Sequence, residues 1–116
     1  MITPQEFFTL LSDETRLRCL LLLQKEKELC VCEFSHILES IQPKISRHLA
    51  LLRTSGLVSD ERRGQWVYYR LNEKLPTWMK QVLATTLDDL KNTAPYQSDL
   101  KKITKIRSTN PCKLGS

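Results

Sequence analysis

Two cysteines two positions apart, Cys30 and Cys32, are the side chains of this 116-residue chain best suited to bond chemistry. They fall at the expected mouth of a helix, whose positive dipole end favours thiolate over thiol. Neighbouring thiolates are soft ligands, matched to soft ions rather than to Mg²⁺ or Ca²⁺. A disulfide between positions i and i+2 would be strained, so the pair is not expected to oxidise on itself. On a regular helix such positions point about 200° apart. Both reach one centre only if the first turn is, or becomes, non-helical. Ligand binding would then unwind the start of this helix, which packs against the next. His36, at i+4 from Cys32, reaches the same region, but its nitrogen suits Zn²⁺ or Cd²⁺ better. Cys19, among leucines, reads as a small core hydrophobe. Cys112 lies far along a basic C-terminal segment. Four unevenly spaced cysteines make a poor disulfide framework and predict reduced thiols in the cytoplasm.

A second chemistry lies just downstream. From Gln42 to Ser55 the chain carries Lys44, Arg47 and Arg53 and no acid. With Ile45, Leu49 and Leu52 placed inward at i, i+4 and i+7, Arg47, Ala50 and Thr54 fall on the opposite face. Lys44 and Ser46 flank it, and His48 lies near the buried edge. A helix offered to a DNA major groove needs cations for phosphate, hydroxyl or amide groups for base edges, and small residues at close approach. A solvated face normally mixes signs, as the neighbouring segments do. Gln42, Lys44, Ser46, Arg47 and His48 are therefore the candidate DNA contacts, with Arg62 and Arg63 beside the next turn as phosphate grips. Asp60 and Glu61 weaken that second pair.

The elements that must hold these groups read as helices with one short hairpin. Helices are expected from Pro4 to about Ser12, from a Ser12 or Asp13 cap to about Gln24, from Cys30–Cys32 to around Glu39–Ser40, and from a Gln42 cap to Gly56. Leu57–Arg62 and Gln65–Leu71 read as strands joined at Arg63-Gly64. Pro76 opens a last helix to about Asn92. Two short helices, a tight connection and a hairpin describe a mainly α, winged helix-turn-helix domain over 1–92. Residues 93–116 read as a basic, partly flexible segment, a frayed helix or a tail.

The formal charge is +5, yet residues 93–116 hold five basic side chains against Asp99 alone. The first 92 residues hold 13 basic and 12 acidic, so net charge says little about the domain. The longest apolar run, Cys19–Leu23, is far short of a membrane span, and MITPQEFF lacks a basic leader region. No Cys-x-x-Cys, Gly-rich phosphate loop or Cys/His dyad indicates an enzyme.

The ordered set Glu28-Leu29-Cys30-Val31-Cys32-Glu33 and Gln42-Pro43-Lys44-Ile45-Ser46-Arg47-His48-Leu49-Ala50-Leu51-Leu52-Arg53 closely resembles the arsenic-responsive repressors of the ArsR/SmtB family. Asp13-Glu14-Thr15-Arg16-Leu17 and the Gly64-Gln65-Trp66-Val67-Tyr68-Tyr69-Arg70-Leu71 wing match as well, so the likeness runs collinearly over about residues 3–92. It implies a cytoplasmic homodimeric repressor, joined through its first and last helices, that leaves operator DNA when As(III) or Sb(III) binds cysteine. Close relatives carry a third cysteine where this chain has Ser35, and a hydroxyl is a poor ligand for a soft trivalent centre. Cys30 and Cys32 then act with a small-molecule thiol, or Cys112 supplies the third ligand. The zinc sensors of the family use histidines and carboxylates on the last helix, and no histidine follows His48. The cadmium/lead type adds cysteines in an N-terminal arm, where this chain offers only Cys19. A thiol redox switch on the same DNA-binding frame, or a thiol or metal-carrier protein without DNA binding, are the alternatives.

Overall fold

Thr3 opens the first helix with both halves of a capping box. Its Oγ1 accepts the Glu6 N–H and Glu6 Oε1 accepts the Thr3 N–H, each at 3.1 Å. The computed structural model describes residues 2–109, with side chains to residue 106. In chain order the elements are α1 Pro4–Leu11, α2 Glu14–Lys25, β1 Leu29–Cys30, α3 Val31–Leu38, α4 Gln42–Ser55, β2 Val58–Arg63, β3 Trp66–Leu71, α5 Thr77–Leu90 and α6 Tyr96–Thr109. Asp13 caps α2 by accepting the Arg16 N–H at 3.0 Å. Gly56 ends α4 in the left-handed region at φ 91°.

One apolar core ties the helices together. Phe7 of α1, Leu20 of α2, Phe34 and Ile37 of α3, Ile45, Leu49 and Leu52 of α4, Met79 and Leu83 of α5 and Ile103 of α6 all lie in it. Burying side chains of this kind contributes roughly 1.5–3 kcal/mol each. Cys19 is buried there too, as expected of a small hydrophobe. None of the helices is long and apolar enough to cross a membrane, among the described residues.

The mainly α, winged helix-turn-helix architecture is the one expected, with three differences of detail. The sheet has a third strand: β3 lies between β2 and the two-residue β1, pairing Leu29 with Tyr69 and Cys30 with Tyr68. So short a strand carries no alternation of its own and forms only because β3 offers a free edge. Ile41, not Gln42, occupies the N-cap of α4, and Gln42 takes the first helical position. The largest difference is at the C-terminus. Residues 96–109, expected as a frayed helix or a partly flexible tail, form a docked helix, α6, which packs on α2 and α3 and buries Ile103 and Ile106. Its few apolar residues sit amid lysines, so composition pointed to solvent while the spacing builds a narrow buried stripe. Arg18 fixes α6 through two hydrogen bonds to the buried Asp99, both 2.8 Å.

Candidate functional site

The thiol site lies where β1 turns into α3. Cys30 is both the last residue of β1 and the N-cap of α3, with extended backbone at φ −91° and ψ 164°. Its N–H donates to Glu33 Oε1 at 3.0 Å while its sulfur faces the Glu33 N–H, a capping box with sulfur in the usual hydroxyl position. The Cys30-x-x-Glu33 spacing carried that signal, although cysteine is not an ordinary cap. Because Cys30 stands outside the helix, the two cysteines are not opposed across a regular helical turn. Less of α3 has to unwind to bring them together than helical spacing implies.

Helix-mouth position was expected to lower the thiol pKa, and for Cys30 the balance runs the other way. Only 1% of the residue is exposed, and burial pushes its thiol above the ordinary range; the facing Glu33 amide pulls down less strongly. Cys19 is pushed up to about 12 by burial, which removes it from thiolate chemistry. Cys19 and Cys30 are free thiols. Cys32, half-buried in the first turn of α3, is instead disulfide-bonded, contrary to the expectation of reduced thiols throughout. Cys112, the expected third ligand, lies outside the described residues. Ser35 is occupied structurally: its hydroxyl donates to the Ser40 carbonyl and closes the end of α3. His36 is exposed. Among the described residues, no group of three His, Cys, Asp or Glu side chains gathers as a metal site.

The second site is the outer face of α4. Ile45, Leu49 and Leu52 are buried, and Gln42, Lys44, Ser46 and Arg47 are exposed, the division that the helical spacing required. Arg53 is spent on an ion pair with Asp60 at 3.1 Å, leaving Lys44 and Arg47 as the forward cations of this helix. His48 points sideways rather than outward. Its Nδ1 lies 3.4 Å from Arg16 Nη1 and 3.9 Å from Asp13 Oδ2. Arg16 in turn donates from Nε to the Leu10 carbonyl at 3.0 Å and from Nη2 to the Thr9 carbonyl at 3.4 Å. Arg16 therefore braces α4 against the end of α1, a role the sequence reading did not assign. On the wing, Arg62 is exposed, whereas Arg63 holds Glu28 at 2.6 and 2.8 Å and Glu61 at 3.0 Å. Its guanidinium also lies 4.6 Å from the Tyr68 ring centroid. Arg63 thus ties the wing to the approach of β1 and is a weaker candidate for phosphate than Arg62.

Known proteins share this arrangement. Residues 13–60, from the α2 cap into β2, match the family described as bacterial regulatory protein, arsR family. The chain is 58% identical over 87 residues to the arsenic resistance transcriptional regulator ArsR2 of Pseudomonas putida, a match spanning 75% of this chain and 76% of that one. It is 50% identical over 82 residues to the arsenical resistance operon repressor of Escherichia coli, spanning 71% and 70%. Among solved structures, HlyU from Vibrio cholerae superposes with a TM-score of 0.63 at 34% identity, covering 70% of this chain and 84% of that chain. With its exposed α4, its paired wing and the collinear match to these regulators, the chain belongs to the arsR family of bacterial regulatory proteins.

Proposed function

We propose that this chain is a cytoplasmic transcriptional repressor, not an enzyme, that binds operator DNA as a homodimer and is released by As(III) or Sb(III). The relatives named for arsenic resistance support the biological role. The observation that carries the mechanism is the position of Cys30. Its backbone pairs with Tyr68 on the wing strand and its sulfur caps α3, which packs directly on α4. A new bond at that sulfur therefore acts on the wing and on the DNA-facing helix together.

Arsenous acid supplies suitable chemistry. Two thiols displace two of its hydroxides: two As–O bonds break, two As–S bonds form, and the thiol protons leave in two waters. Cys30 and Cys32 are the proposed pair once Cys32 is reduced. The third arsenic position is left to hydroxide, to a small-molecule thiol or to Cys112. Drawing the Cys30 sulfur toward arsenic removes it from the Glu33 amide and opens the first turn of α3. On α4, Gln42, Lys44, Ser46 and Arg47 face the major groove, with Arg62 on phosphate; His48 acts from the edge and Arg63 from the wing base.

Arsenite titrated into the complex with an inverted-repeat operator, under thiol reductant, tests this. DNA should be released by the wild type and retained by Cys30→Ser. No release at saturating arsenite refutes the inducer assignment. The disulfide at Cys32 favours one second reading, in which oxidation itself changes DNA affinity. A response to peroxide without a response to arsenite would select it.

A further inference from the structure

The end of α3 opposite the thiols is held by α6. This helix is only eight residues long and ends on Glu39, a non-glycine residue in the left-handed region at φ 52°. Lys102 of α6 reaches across. Its Nζ donates to the Ile37 carbonyl at 3.3 Å and to Glu39 Oε2 at 2.8 Å. It thereby fills one of the unpaired carbonyls at the helix end and places a positive charge where the dipole is negative. The helix that carries Lys102 is itself fixed. Asp99 is 2% exposed and grips Arg18 of α2 through both oxygens, and Ile103, one residue past Lys102, is 1% exposed.

We propose that α6 is a clamp on the thiol-bearing helix and that Lys102 is its positioning residue, setting how much inducer is needed to open the site. The inference deepens the sensing reading above and rests on it. Bringing two sulfurs onto one centre distorts the first turn of α3. In a helix of two turns, fixing the last turn resists distortion of the first, because the whole segment opens as a unit. Lys102 therefore opposes inducer without touching it.

Two measurements on the full-length, thiol-reduced protein test the clamp. The first is the rate at which iodoacetamide alkylates Cys30, read by peptide mass. At 1% exposure that sulfur reacts only when the site opens. The second is the arsenite concentration that releases half of the bound operator DNA. Lys102→Met keeps the aliphatic stem but loses the donor and the charge. It should speed alkylation and lower the half-release concentration, each by about three- to tenfold, the value of one lost hydrogen bond. Lys102→Arg should restore both, and Lys101→Ala, exposed on the same helix, should move neither. Asp99→Asn should exceed Lys102→Met in both measurements. A Lys102→Met protein with native helix content and both values within twofold of wild type overturns the clamp. The alkylation arm contains neither arsenic nor DNA. Faster alkylation with no effect of arsenite on bound DNA would leave the loosened helix standing but overturn the sensing reading, and with it the role of Lys102 in setting an inducer threshold.

Discussion

His48 shows how much a single side chain's role depends on groups distant in sequence. Burial holds its pKa below the ordinary 6.5; Asp13 pulls upward, while Arg16, Lys44 and Arg47 press down with the burial. A base whose folded pKa is depressed takes up its proton more readily when unfolded. Its contribution to stability is whole above pH 6.5 and diminishes as pH falls through that value toward the folded one. Melting temperatures between pH 7.5 and 5.5 should therefore fall more steeply for the wild type than for His48→Gln. Equal slopes would remove His48 from the account. Helical spacing placed this residue at the buried edge of α4, which is where it lies, but could not place Arg16 beside it, 32 positions away. The same limit governs Cys30 and Arg63. Both cysteines were identifiable by type and spacing, yet the burial that raises the Cys30 thiol, at a position paired with the distant Tyr68, was not. Neighbouring acids already weakened Arg63 as a phosphate grip, but its principal partner, Glu28, is 35 positions back and carried no local signal.

Elements whose boundaries are fixed by local backbone chemistry were the readable ones. The stop of α4 at Gly56 is such a case: φ is 91°, and an added Cβ would meet nothing within 4 Å. The cost of Gly56→Ala is thus one of backbone conformation alone, about 1 kcal/mol. Urea unfolding should show that loss with an unchanged denaturant slope. A loss of several kcal/mol would mean that the turn into β2 had been displaced. The end of α3 was expected around Glu39–Ser40 and is capped at Glu39, but its closing contacts, from Ser35 and from Lys102, 63 residues later, were not foreseen. Strand β1 and the docking of α6 depend in the same way on distant partners. Two residues cannot display a period, and α6 exists as a packed element only through its contacts with α2 and α3.

At the scale of the whole molecule, the proposed homodimer would use the surface shared by α1 and α5. Phe8 is 52% exposed and Trp78 38%, with their ring centroids 5.9 Å apart and Phe7 packed against both. Two aromatic rings held half in water by an otherwise complete core make an apolar patch without a partner in one protomer. Pairing this patch with itself would generate a two-fold dimer and present two α4 helices to one operator. Phe8→Glu leaves the buried Phe7 in place, so the protomer should fold while sedimentation at about 10 μM shifts from dimer to monomer. Salt dependence supplies an independent reading. Each neutralised phosphate contributes about −0.9 to the slope of log affinity against log salt. Lys44, Arg47 and Arg62 on each of two protomers thus predict a slope of about −5 for the wild type and about half that for the Phe8→Glu protein. A variant that remains dimeric, or a monomer that keeps the full slope, would place the two-fold contact elsewhere on the molecule. Arg63 and Arg53 are left out of that count because their charges are committed to Glu28, Glu61 and Asp60 within the fold. Replacing Arg62 by Ala should therefore flatten the slope, whereas Arg53→Ala should not.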